Sequence, residues 1–391
     1  MKIVFAADFG IYSVKDEYDP TIVSPGLDEP KRAMENADFR MLNLEKLFYF
    51  GGEPILKSGP NIGMQKEYVS ALKHLKIDAV GLANNHTGDF DESNVLKNLD
   101  YLKENGIAYV GGGKNKDEAY LPLVFEKDGV AVSVITICEN EFGIATDSKA
   151  GAAGFELYRT VKLIKDEKAK GRYVIVNFHG GNEENPFPSP KKRGLYRTFI
   201  ECGADAVIAM HTHCPQGYEY YLGKPIIYSM GNFFFAYKDP QGERANMSSA
   251  YYFGYMSKLD IKDGKVSFEP IPYRFTPKGM TVMDGDDKRR FLYYLEKISE
   301  PIKSDKEIEA YFRGWSLITG PIYANFLNFD RNNIPDKDLL RHIKNNFSCE
   351  AHNELLESYI RMLFDGITEE DEKCKAEIRA MSTIDLQKYD Y

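Results

Sequence analysis

The sequence has no run of about 18 consecutive apolar residues, the length a spanning helix requires, so no membrane span is expected. It has no basic surplus either: 50 Lys and Arg stand against 59 Asp and Glu, a formal charge of −9. Binding to a phosphate backbone rests on basic surface, so nucleic acid is not an expected partner. A small anionic substrate stays open, because a bound cation overrides the local field. Cysteine is sparse: Cys138, Cys202, Cys214, Cys349 and Cys374 are odd in number, scattered, and form no CxxC pair. That pattern argues against a disulfide framework and suits free thiols in a reducing compartment. Tryptophan is limited to Trp315, and no internal repeat or low-complexity tract stands out. No charged and then apolar leader precedes Lys2-Ile-Val-Phe-Ala-Ala-Asp8, which already reads as a core strand, and a cytoplasmic location is expected.

What is present is an α/β pattern in a chain longer than the usual single domain. Apolar strand candidates cover residues 2–8, 39–45, 78–83, 173–178 and 205–210. Helical spacing covers 31–37, 64–75, 91–105 (with Asp91 as its cap), 156–170 and 191–202. Lys191-Lys192-Arg193 reads as a solvated helix start. Hairpins are expected around Lys127-Asp128-Gly129, Gly223-Lys224 and Lys262-Asp263-Gly264. A Gly/Pro loop from Gly51 to Pro60 is placed to rim a site. From about residue 285 the pattern is wholly helical: 287–298, 305–317, 337–346, 350–364 and 369–381, without strand candidates or suspected ligands. The expectation is an α/β sandwich of two mixed sheets over residues 1–284 and an all-helical appendage over 285–391.

Polar residues gather where strands stop. The stretch Gly81-Leu-Ala-Asn-Asn-His-Thr-Gly-Asp-Phe90 runs from an apolar strand into Asn84, Asn85, His86 and Asp89. Asp8 ends the first strand, Asn43 and Glu45 end the second, His179 follows residues 173–178, and His211-Thr212-His213 follows 205–210. The carboxyl ends of strands are where α/β folds build sites. If 211–213 stays extended, both imidazoles face one centre. Four of the seven histidines sit at strand ends; His74, His342 and His352 fall on helical patterns and read as surface residues. Mixed imidazole, carboxylate and amide donors suit Zn²⁺, Mn²⁺ or Fe²⁺. Two such ions can bind an oxyanion, activate a water and stabilise a leaving oxygen. Glu45 or Asp8 is placed to bridge them, and His86 is the candidate to protonate a leaving group.

The pattern Asp8, Asn43-Leu-Glu45, Ala83-Asn-Asn-His86-x-x-Asp89, His179-x-Gly-x-Glu183, His211-x-His213 and Tyr228-Ser-Met-Gly-Asn-Phe233 resembles the CapA family of capsule and poly-γ-glutamate synthesis proteins. That family is similar to the calcineurin-like metallophosphatases. The resemblance implies metal roles for Asp8, Glu45, Asn85, His179, His211 and His213, with a pair of divalent ions expected and His86 beside the leaving group. Asn43, Asn84, Asp89, Glu183 and Asn232 are then expected to line the substrate site. It also implies a metal-dependent, phosphoesterase-like hydrolase acting on an anionic small molecule or polymer, with a capsule or polymer synthase as a candidate partner. A non-catalytic assembly factor of such a synthase and an amidase for γ-glutamyl bonds are the alternatives. Three departures stand out: Gly10 replaces the phosphatase His two residues after Asp8, Glu45 replaces a bridging Asp, and Gly180 and Glu184 replace the aromatic and Tyr of the fourth motif.

Overall fold

The structure, a computed structural model, describes residues 1–237, 247–327 and 336–389. In chain order the strands are β1 (Lys2–Ile11), β2 (Phe39–Leu44), β3 (Ala79–Gly81), β4 (Ala108–Val110), β5 (Gly112–Gly113), β6 (Leu123–Lys127), β7 (Val130–Cys138), β8 (Gly151–Ala152), β9 (Tyr173–His179), β10 (Ala206–Met210), β11 (Tyr218–Tyr221), β12 (Lys224–Ile227), β13 (Asn232–Ala236), β14 (Phe253–Lys262), β15 (Lys265–Thr276) and β16 (Gly279–Val282). The first sheet runs β16-β15-β14-β1-β2-β3-β4, with β13 also on β1. The second runs β11-β12-β10-β9-β7-β6. Helices Asp28–Ala33 and Asp91–Glu104 lie against the first sheet, and Leu157–Ala169 and Pro190–Glu201 against the second. The two sheets meet face to face, where Gly81 of β3 approaches Asn177 of β9 and Thr136 of β7. This is the expected layered sandwich.

Strands buried on both faces read as unbroken apolar runs. That is why β1, β9 and β10, each covered by helices or the other sheet, were legible as FAAD, IVNFH and VIAM segments. β1, β2 and β3 run parallel, as do β9 and β10, so their carboxyl ends share an edge. The register slips between Asp8 and Phe9 against β13 and between Ala6 and Asp8 against β2. Such bulges re-aim a side chain, and here the re-aimed residue is Asp8.

Several expectations are corrected. The run Phe233-Phe-Phe235, which falls outside the strand candidates, lies in strand β13, parallel to β1 from Asp8 to Ile11, where β14 has left that edge free. Helix Asp305–Asn325 continues through Pro321, eight residues past the expected end, because its neighbours Glu350–Asp365 and Glu369–Ala380 support it. Lys192 and Arg193 are buried rather than solvated. Lys192 contacts Glu139 and its ammonium lies 4.4 Å from the Phe178 ring centre.

The C-terminal helices touch the edge that carries the site. Arg341 donates to the Lys57 carbonyl at 2.5 Å, and His342 Nδ1 lies 2.8 Å from Ser58 Oγ. Asn140 donates to Glu350 at 2.7 Å, and Ser189 to Glu354 at 2.6 Å. His342 and His352 therefore face the α/β body instead of solvent, and His74 is held by Asp28 at 2.7 Å.

Candidate metal centre

Asp8 lies fully buried at the bulge of β1. Its Oδ1 accepts from Asn43 Nδ2 at 2.7 Å and its Oδ2 from the His211 amide at 3.0 Å. Asn43 accepts in turn from Asn84 at 3.2 Å, and Asn84 Oδ1 accepts from the His86 amide at 3.1 Å. The two amides are thus engaged with each other and with the backbone. They fix the ends of β1, β2 and β3 against one another.

His179, at the end of β9, faces across the sandwich. Its Nε2 lies 3.0 Å from Asn85 Oδ1 and 3.0 Å from His211 Nδ1. Past β10 the chain does not stay extended: φ is +105° at His211 and +54° at His213. These left-handed values cost of order 1–3 kcal/mol each for side chains with a Cβ. They also overturn the expectation that strand alternation presents both imidazoles to one point. The rings lie 6.1 Å apart, and they divide between two clusters. Glu45, His179 and His211 form one; Asp8, Glu45 and His213 form the other, each with ligand atoms within 4.8 Å of one another. Asn232 orients His213, with Oδ1 2.8 Å from Nδ1 and Nδ2 donating to the His213 carbonyl at 3.3 Å.

Glu45 belongs to both clusters. Its two carboxylate oxygens are buried and have no hydrogen-bond donor among the described residues. Burial, then Asp8 and Glu183, push its carboxyl well above the ordinary range. Burial also raises Asp8, but His179, His213 and the Asn43 amide outweigh it and hold that carboxyl low. Burial, then His179 and His213, drive His211 well below the usual imidazole range, so it is neutral, the form that ligates a metal. A buried carboxyl group without donors among the described residues, ringed by imidazoles and a second carboxylate, fits a site for divalent cations.

His86 stands beside the first cluster, with Nε2 3.9 Å from Glu45 Oε1. Its Nδ1 lies 2.7 Å from Asp89 Oδ2 and 3.0 Å from Lys57 Nζ, and Lys57 contacts Asp89. Burial, then Lys57, lower the imidazole to about 4 against the pull of Asp89. Asp89 Oδ2 also accepts from the Ile62 amide at 2.7 Å. Glu183 is exposed on the loop after His179 and acts on Glu45 through its charge.

Two buried lysines escaped sequence reasoning, since lysine in a polar stretch reads as surface by default. Lys57 comes from the Gly/Pro loop that the sequence did place at the rim. Lys46 explains the Gly10 departure: a Cβ on residue 10 would lie 2.4 Å from Lys46 Cγ and 2.5 Å from Cδ. The lysine stem occupies the space that a side chain on residue 10 would enter first. Gly180 has a similar cause, because a Cβ there would meet Glu139 Cγ at 2.6 Å. Glu139, paired with Lys192, accepts from the Gly181 amide at 2.9 Å and holds the loop beyond His179.

The family profile described as Bacterial capsule synthesis protein PGA_cap matches residues 10–237. The capsule biosynthesis protein CapA of Bacillus anthracis is 29% identical over 181 residues, 45% of this chain and 44% of that protein. The PGA biosynthesis protein CapA of Bacillus subtilis (strain 168) is 27% identical over 173 residues, 44% of this chain and 46% of its own. A probable polyglutamine synthesis accessory protein of Mycobacterium tuberculosis is 24% identical over 290 residues, covering 69% and 75%. The chain therefore spans less than half the length of the two Bacillus relatives. Among solved structures, a hypothetical protein from Thermus thermophilus overlays 71% of this chain and 100% of its own, at a TM-score of 0.45 and 16% identity. A 5'-nucleotidase precursor from the same organism overlays 71% of this chain and 55% of its own, at 0.44 and 12%. Among the described residues, no helix is long and apolar enough to cross a membrane.

Proposed function

We propose a metal-dependent hydrolytic role in capsule or poly-glutamate synthesis for this chain, which belongs to the bacterial capsule synthesis protein family PGA_cap. The observation that carries the reading is Glu45: a buried carboxylate without hydrogen-bond donors, shared by two clusters of donor atoms. Asp8, Glu45, Asn85, His179, His211 and His213 would hold one or two ions of the Mn, Zn or Fe type. Such ions supply Lewis acidity toward a phosphoester or related anionic bond.

The remaining work falls to the chain's own groups. Asp89 and Lys57 compete for His86 Nδ1. A proton on Nδ1 binds Asp89; a lone pair there accepts from Lys57 and leaves the ring proton on Nε2, facing Glu45. In the second state the Nε2–H of neutral His86 faces the mouth of the cluster, where it can donate a hydrogen bond to a leaving oxygen. Asn43, Asn84 and Asn232 position Asp8, His86 and His213. Glu183 lines the approach from outside.

A second reading is favoured by one feature. With Gly10 at the second position and Lys46 packed against it, one ion site would have a ligand fewer, as suits a non-catalytic assembly factor of a polymer synthase. The printed name of the Mycobacterium relative, a synthesis accessory protein, points the same way. Metal content of the purified chain and of a His211→Ala/His213→Ala variant separates the two when combined with turnover of phosphoesters and γ-glutamyl peptides. Bound ions lost in the variant, with phosphoester turnover, support the hydrolase. Turnover of γ-glutamyl peptides instead identifies an amidase. Absence of ions after reconstitution with Mn²⁺ or Zn²⁺ refutes the metal-dependent reading and leaves the assembly factor.

A further inference from the structure

A second group of metal-type side chains lies where the C-terminal helices meet the α/β body. Glu141 follows β7, while Cys349 and His352 open helix Glu350–Asp365, and their donor atoms all lie within 4.8 Å of one another. Cys349 and His352 fall outside the residues that the family profile matches, so family membership says nothing about them.

Three features of this group are awkward for an ordinary polar contact. Glu141 Oε1 lies 3.6 Å from His352 Nε2, too far for a hydrogen bond. Yet two donors bound at zinc distances and tetrahedral angles sit about 3.3–3.6 Å apart. Cys349 occupies the cap position of its helix, and its buried thiol turns to the carboxylates, where it makes only a long sulfur contact of 3.8 Å to Glu139 Oε2. Finally, Asn345 is buried with its Nδ2 3.1 Å from His352 Nδ1 and its Oδ1 without a partner among the described residues. Amide nitrogen and oxygen are interchangeable in placement. With the amide turned over, Oδ1 accepts from His352 Nδ1–H, and the Nε2 lone pair points toward Glu141 and Cys349. A ligating histidine that donates its other N–H to a carbonyl oxygen is the usual arrangement around zinc.

We propose that Glu141, Cys349 and His352 bind a single Zn²⁺-type ion that ties the C-terminal helices to the α/β body. Glu141 also lines the small cavity shared with Asn85, His179 and His211, so the ion sits next to the cluster that contains Glu45. Binding displaces the thiol proton of Cys349 to solvent and forms the sulfur–metal bond.

The test uses the full chain, stripped of metal and titrated with Co²⁺. The expected result is a thiolate-to-cobalt charge-transfer band in the near ultraviolet, present in the wild type and in the His211→Ala/His213→Ala variant. Persistence in that variant separates this site from the centre discussed above. Cys349→Ser is expected to lose the band and one ion per chain. Should Cys349→Ser fail to fold by circular dichroism, Glu141→Gln is expected to bind Co²⁺ of order tenfold or more weakly with the band still visible. Absence of the band in the wild type at saturating Co²⁺, its survival in folded Cys349→Ser, or unchanged affinity in Glu141→Gln would overturn the assignment.

Discussion

Placing a methyl group on residue 10 tests how the space beside Asp8 is filled. The Cβ of Gly10→Ala would lie 2.4 Å from Lys46 Cγ, 2.5 Å from Cδ and 2.9 Å from Cβ, all under the contact limit for real side chains. Lys46 cannot swing aside cheaply. It is 1% exposed, donates to the Tyr12 and Ala236 carbonyls at 3.0 and 3.3 Å, and lies 4.6 Å from the Phe235 ring centre. Overpacking of this kind costs about 1–3 kcal/mol. Pulling the ammonium off either carbonyl adds about 1.5–3 kcal/mol, the worth of a hydrogen bond to a charged group. Gly10→Ala is therefore expected to cost about 2.5–6 kcal/mol, read as a fall in the urea midpoint at constant slope. Lys46→Ala alone leaves the buried Tyr12 carbonyl without its lysine donor, about 1–3 kcal/mol, while the Ala236 carbonyl keeps the Tyr12 amide at 3.0 Å. In the double variant the Cγ and Cδ clashes no longer exist, so the costs do not add, and a favourable coupling of about 1–2 kcal/mol is expected. A Gly10→Ala change within about 0.5 kcal/mol of wild type, or strictly additive costs, would refute the packing argument.

Two further predictions concern charge. Replacing Lys57 with Met removes a cation that lowers His86, so the imidazole midpoint should rise above about 4 in an NMR titration, and a downward move would contradict the assignment. The same change strands buried Asp89 and should cost about 3–5 kcal/mol of stability. For Glu45 the folded carboxyl lies above its unfolded value, so in ion-free protein stability is lost as pH rises from about 4.3, by up to about 1.4 kcal/mol per pH unit. Ion-free Glu45→Gln should accordingly outlast ion-free wild type in urea at neutral pH and match it near pH 4. Equal stability at neutral pH would show that Glu45 is not held protonated.

Much of this architecture could be read from residues alone. Strands buried on both faces announce themselves as apolar runs, and the polar residues that end them are conspicuous by contrast, which is why Asp8, Glu45, His86, His179 and His211 stood out. What stayed hidden depends on neighbours far away in the chain. Lys46 and Lys57 are buried because distant groups meet their ammonium ions, the Ala236 carbonyl by accepting a hydrogen bond and Asp89 by pairing charge. The division of His211 and His213 between clusters comes from left-handed backbone after β10, which no strand pattern signals. β13 was unreadable as a strand because its partner edge exists only where β14 diverges from β1. His352 looked like surface because helical spacing says which face a residue occupies and not what that face meets.

The candidate metal centre draws Asp8, Glu45 and Asn85 from one sheet and His179, His211 and His213 from the other. One of its bonds, from the His211 amide to Asp8, closes a loop of 203 residues. Contacts of such sequence separation form after local ones, because loop closure must precede them. No hairpin or single sheet can assemble the donor set during folding. An ion that needed all of it would be taken up only by chains whose two sheets have already docked, so its uptake would report that docking.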